Sequence, residues 1–148
     1  MENHRSFCAI NLALEVFGDK WSLIIVRDMM FGGKRHFREL LQSDEKIASN
    51  ILTDRLAMLE REGIITKESD PEHKQKIIYS LTQKGIDLLP IIIQMVAWTF
   101  KYMPIDLEVN RHAKMLLEGG TKMQEAAIRQ LVEEHLRPVD NQILLKRD

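Results

Sequence analysis

Four short polar residues crowd the stretch SNILTD: Ser49, Asn50, Thr53 and Asp54. Wound at about 100° per residue, Asn50, Thr53, Asp54, Ala57 and Arg61 share one side of a helix, and Ala48, Leu52, Leu56 and Leu59 form a narrow apolar stripe on the other. The polar side lies towards the helix start, where a recognition helix presents donors and acceptors to base edges in a major groove. An asparagine pairs bidentately with adenine, Ser and Thr hydroxyls reach bases or phosphates, and first-turn amides favour a phosphate. The same residue types also favour solvated helix starts for local reasons. The face alone therefore reads equally as a base-reading surface or as plain solvent-facing helix.

Basic residues bracket this segment. Lys34, Arg35 and His36 precede it, and His73, Lys74 and Lys76 follow it. Arg35, His36, His73, Lys74 and Lys76 are the candidate phosphate ligands, which would supply affinity and register while the helix between them reads bases. From Gly33 to Lys76 nine Lys or Arg are matched by nine Asp or Glu. The whole chain of 148 residues carries a net charge of −1, so no global basic excess points to a nucleic acid, and such a partner must be recognised locally.

Cys8 is the only cysteine, which rules out an intramolecular disulfide. It stands just ahead of a helical pattern, with His4 and Arg5 nearby, and both a helix N-terminus and neighbouring cations favour the reactive thiolate. The alternative is a small apolar side chain packed and inert. His4 and Cys8 stand at i, i+4, but two ligands are too few for a metal site, and neither metal nor cofactor is expected. Without a Gly-rich phosphate loop, or a nucleophile with an evident base, the chain does not read as an enzyme. Trp21, Trp98, Met29, Met30, Met95 and Met103 fit a small-molecule pocket or ordinary packing equally well.

The elements that would hold these residues follow from periodicity. Ile10, Ala13, Leu14 and Phe17 mark one face of a first helix ending at Gly18. Asp19 suits the N-cap of KWSLIIVRDMMF, an all-round apolar helix stopped by Gly32 and Gly33. HFRELLQS forms a short helix with Phe37, Leu40 and Leu41 facing inward, and a polar turn leads to the helix from Ala48 to Glu62, the skeleton of a helix-turn-helix. IITKES and KIIYSL flank the loop DPEHKQ as two antiparallel strands. Thr82 caps the next helix, Pro90 kinks or breaks it, and its apolar face continues through Ile91, Met95, Trp98 and Tyr102. Asp106 suits the cap of LEVNRHAKMLLE, Gly119 and Gly120 end it, and Thr121 with Gln124 fits a capping box opening a last helix to about Leu136. The hydrophobic content of 45% and charged content of 29% suit a folded, helix-rich protein. Leu88 to Phe100 falls short of the roughly 18 apolar residues of a membrane span, and the start lacks a secretory pattern. No membrane association and a reducing cytoplasm are expected.

Taken jointly, GDKWSLIIVRDMMFGGKRHFREL, ILTDRLAMLEREGII, DPE and YSLTQKG resemble the HxlR-type winged helix-turn-helix transcriptional regulators, related broadly to the MarR group, in order and spacing. The resemblance runs from Cys8 to about Trp98. It implies a mainly α fold with a small β-hairpin, a winged helix-turn-helix with dimerisation helices from both chain ends. The expected organisation is a DNA-binding domain over residues 1–103 and a helical extension over 104–148, which the resemblance does not cover. The implied function is a homodimer that binds double-stranded DNA sequence-specifically, at a palindromic operator. Ser49, Asn50, Thr53 and Asp54 would face bases, Arg35 and His36 would approach the backbone, and His73, Lys74 and Lys76 would contact it from the wing. Some family members sense quinones, aldehydes or oxidants through a cysteine aligned with Cys8, which implies an electrophile or small-molecule effector. Two departures stand out: Ala48 replaces the family's usual capping serine, with Ser49 or Asp44 as substitutes, and the wing loses a proline and gains charge. The alternative function is a winged-helix protein-interaction module without specific DNA readout.

Overall fold

A computed structural model describes residues 3–145, with side chains through Leu136. In chain order the elements are α1 (Ala9–Phe17), α2 (Ser22–Phe31), α3 (Phe37–Leu40), α4 (Ser49–Arg61), β1 (Ile65–Ser69), β2 (Ile77–Leu81), α5 (Gln83–Ile86), α6 (Leu89–Tyr102), α7 (Arg111–Glu118) and α8 (Gly120–Leu145). β1 and β2 pair as a two-stranded sheet. The packing divides into two compact units, one ending at Tyr79 and one beginning at Ser80. The boundary expected from the sequence lies further along, at 103/104; α5 and α6 pack in the same unit as the extension.

In the first unit, α2 is apolar on nearly all sides because it crosses the core: Ile25, Val26, Met29 and Met30 are all buried. α4 contributes Leu52, Leu56 and Leu59 as expected, and Met58 besides. Burying each of these leucines is worth several kcal/mol, since truncating a core Leu to Ala typically costs about 2–5 kcal/mol. α4 ends in a Schellman motif. The Ile64 amide donates to the Leu59 carbonyl at 2.9 Å and the Gly63 amide to that of Glu60 at 3.0 Å. Gly63 adopts φ 73°, the left-handed conformation that this junction requires and that costs other residues a Cβ clash. Buried Leu59 and Ile64 complete the apolar part of the motif.

Helix starts depart from expectation. α2 begins at Ser22 rather than beside Asp19, yet Asp19 Oδ2 accepts from the amides of both Trp21 and Ser22 at 2.9 Å, so it still serves that end. α3 has only four residues. The loop between α3 and α4 is pinned by Arg27, whose guanidinium forks onto Glu45 with both contacts at 2.7 Å while also donating to the buried Asp28. Those pairs hold the Arg27 guanidinium above its already high range and Glu45 below the usual carboxylate range. Lys34 joins this cluster, donating to the Gln42 carbonyl at 3.1 Å.

In the second unit Thr82 caps α5 by accepting from the Gly85 amide at 3.1 Å, and Pro90 stands in the first turn of α6 after a break at Asp87. Leu89, Ile92, Ile93, Leu116 and Leu131 form the core. His135 of α8, buried, accepts the Leu81 amide on Nδ1 at 2.9 Å. Two expectations fail. α7 begins at Arg111, because Asp106 caps the turn that precedes it by accepting from Glu108 and Val109. α8 begins at Gly120, whose φ of 63° makes the junction, and Gln124 reaches back to the Leu116 carbonyl at 3.3 Å instead of closing a capping box with Thr121. α8 also runs past Leu136.

Met29 and Met30 are core residues, whereas Met95, Trp98 and Met103 are exposed. The α6 face of Ile91, Met95, Trp98 and Tyr102 is open to solvent, with Trp98 60% and Tyr102 64% exposed. α1 buries none of its residues, and Ile10 and Leu14 are exposed there. No helix among the described residues is long and apolar enough to cross a membrane.

Candidate nucleic-acid interface

The four candidate base-facing residues are all exposed on α4, because the opposite stripe is anchored by Leu52, Leu56 and Leu59. Their side chains differ in availability. Thr53 Oγ1 donates back to the Ser49 carbonyl at 2.9 Å. Asp54 pairs with its neighbour Arg55, which lies 3.5 Å from Asp19; Asp54 leads in holding the guanidinium above its ordinary range. The carboxylate that would repel DNA from this face is thus matched by a cation. Asn50 and Ser49 make no side-chain hydrogen bond among the described residues. With Asp19, Trp21, Ile51, Asp54 and Arg55, Asn50 edges a shallow depression of about 520 Å³.

Ala48 occupies the N-cap in extended conformation (φ −73°, ψ 146°) and offers no cap hydrogen bond. Neither Ser49 nor Asp44 substitutes. Ser43 Oγ accepts instead from Ile47, one position before the cap, at 3.1 Å. The first amides of α4 therefore lack a side-chain acceptor. Lys46 enters this turn with φ 59°, an uncommon conformation for a residue with a Cβ.

Arg35 and His36 are held by the fold. Arg35 Nε donates to the Tyr79 carbonyl at 3.1 Å and the Arg35 carbonyl accepts from Tyr79 at 2.8 Å, stitching this segment to β2. His36 stands at the N-cap of α3, where Glu39 Oε1 accepts from its backbone amide at 3.1 Å. Its Nδ1 lies 2.7 Å from Glu39 Oε1 and its Nε2 2.8 Å from Asp70 Oδ2. Asp70, first, and Glu39 raise His36 above the usual histidine range, and His36 lowers both carboxylates. Asp70 is only 6% exposed and also orders the hairpin tip, accepting from the Glu72 amide at 2.9 Å. His73, Lys74 and Lys76 stand exposed on that tip.

Sequence reasoning passed over two features. Glu39 stands three residues after His36, a capping-box spacing visible in the sequence. Arg38, exposed on α3, has no side-chain partner among the described residues. Between α3 and the hairpin lies an open groove of about 1090 Å³ that Arg38, Lys74 and Lys76 rim.

Cys8 is exposed at the N-cap of α1. The backbone amides of Asn11 and Ile10 pull its thiol below the ordinary value. The expected cations point elsewhere: Arg5 Nε donates to Asn11 Oδ1 at 2.9 Å, and His4 pairs with Glu15 at 2.9 Å.

A two-helix turn that presents an exposed polar helix start, with a charged hairpin beside it, defines a winged helix-turn-helix DNA-binding protein. The profile described as HxlR-like helix-turn-helix matches residues 16–106. The uncharacterized HTH-type transcriptional regulator YdeP of Bacillus subtilis is 37% identical over 72% of this chain and 84% of its own. The fold is similar to the reduced form of the transcriptional regulator YodB from B. subtilis (TM-score 0.55, 27% identity, 66% of this chain and 95% of that one). It is also similar to the redox regulator HypR in its oxidized form (TM-score 0.55, 32% identity, 66% and 100%). The chain belongs to the HxlR-like helix-turn-helix family and is a transcriptional regulator of that type, not an enzyme.

Proposed function

We propose that this regulator binds a palindromic operator as a homodimer in the cytoplasm, reading bases through Asn50 and its neighbours on α4, and that Cys8 modulates the binding. The observation that carries the reading is the start of α4: exposed, uncapped, and bearing an asparagine amide with both its donor and its acceptor unengaged among the described residues. Ser49 and Thr53 extend this surface, and Asp54, matched by Arg55, does not oppose a polyanion. Arg35 and His36 act here by holding the hairpin to the helix-turn-helix; His73, Lys74 and Lys76 supply phosphate contacts. Two copies related by a twofold axis would present two recognition helices to half-sites about one helical turn apart, hence the palindrome. The exposed apolar faces of α1 and of α6 are the surfaces that a second copy would cover. Thiol modulation is supported by the exposed N-cap position of Cys8 and by the fold's similarity to a redox regulator.

A gel shift with DNA from beside its own gene tests the core of this. Asn50→Ala is expected to weaken operator binding about 5- to 150-fold, the worth of one bidentate base contact, and to leave scrambled duplex unaffected. No binding to such DNA, with binding instead to another protein, would favour the protein-interaction module.

A further inference from the structure

We propose that the groove between α3 and the hairpin seats one backbone phosphate of DNA on Arg38 and the wing lysines, and that it does so only while His36 carries its proton. This deepens the DNA-binding reading above and rests on it. The groove is rimmed by Arg38, Lys74 and Lys76, which have no carboxylate partner among the described residues. The carboxylates of Glu39 and Asp70 line the same groove and would oppose a phosphate if left unmatched. His36 stands between the two, one ring nitrogen on each, at 2.7 and 2.8 Å. A neutral imidazole has a single N–H, so only the imidazolium donates to both. Losing that proton turns a lone pair towards one carboxylate and leaves both anions facing the groove.

The other charged groups around the ring are few. Arg38 shares α3 with His36 and Glu39; from the hairpin come Asp70, Glu72, His73 and the two lysines. Asp70 fixes the tip as well as pairing with His36, so the ring's charge also bears on where Lys74 and Lys76 are held. Arg35 is not part of the seat, since its guanidinium is engaged by the carbonyl of Tyr79.

The test uses the full chain with an operator duplex and a scrambled duplex, titrated across a range of KCl concentrations. Arg38→Gln is expected to weaken both duplexes to a similar degree, and to reduce the slope of log K against log salt by about one per subunit, the signature of one lost phosphate contact. At fixed salt, the affinity of the unaltered protein is expected to fall as pH rises through the titration of His36, followed by imidazole NMR. His36→Gln should bind more weakly at low pH and lose that part of the pH dependence. If His36→Gln does not fold, as circular dichroism would show, the match between the affinity curve and the His36 titration in the unaltered protein decides. A slope unchanged by Arg38→Gln, or affinity that stays level through the His36 titration, overturns the phosphate seat and leaves DNA binding standing. Failure of the unaltered protein to bind either duplex overturns both.

Discussion

Cys8 owes its character to position more than to neighbours. Sequence proximity to His4 and Arg5 suggests cationic activation, but those side chains are held by Glu15 and Asn11, and it is the amides opening α1 that favour the thiolate. The consequence is a thiol whose reactivity depends on α1 being folded. With a pKa below its ordinary value in the native state, Cys8 should react with iodoacetamide at neutral pH faster than the same protein unfolded in urea, because more of it is thiolate. Stopped-time alkylation read by mass spectrometry checks this; equal rates in the two states would remove the sensing proposal. His36 shows the same lesson with the opposite sign. Its partner Asp70 lies 34 residues away, so no local pattern announces the bridge, whereas the contact with Glu39 is a visible i, i+3 spacing.

At the scale of elements, α4 was legible because two local signals agree: a leucine stripe at helical period, and a glycine that terminates it in a left-handed turn. Its start was legible only in part. Ala48 has the extended backbone of an N-cap without the side chain that normally completes one. Ala48→Ser should therefore raise stability by about 0.5–2 kcal/mol, read as an increased Tm, while its hydroxyl takes up a first-turn amide that a phosphate would otherwise use. No gain in Tm would mean that those amides are already satisfied. Elements whose ends depend on their neighbours were harder to read. Asp106 and Thr121 are good caps by type, but the turn at Glu108 and the α7–α8 junction at Gly120 decide where those helices begin. The hairpin was legible from its β-branched runs, whereas the seam between Arg35 and Tyr79 joins residues 44 positions apart and could only be seen folded.

For the whole molecule, the open apolar faces are the clearest instruction about assembly. Trp98 and Tyr102 stand in solvent with ring centroids 5.7 Å apart, on the same face as Met95 and Ile91. A lone exposed leucine needs no explanation, but an aromatic and aliphatic row along one helix does. Trp98→Lys is expected to convert a dimer to a monomer in light scattering coupled to size exclusion, and to lower operator affinity with it. A Trp98→Lys protein that keeps the dimer mass would place the interface elsewhere. The bond from Leu81 to His135 joins the hairpin to α8. The family match ends near residue 106, yet the last amide of β2 takes its acceptor from a helix beyond that limit. Loss of that acceptor would strand a buried N–H at a cost of about 1–3 kcal/mol, so the second strand of the hairpin draws on a residue outside the family-matched stretch.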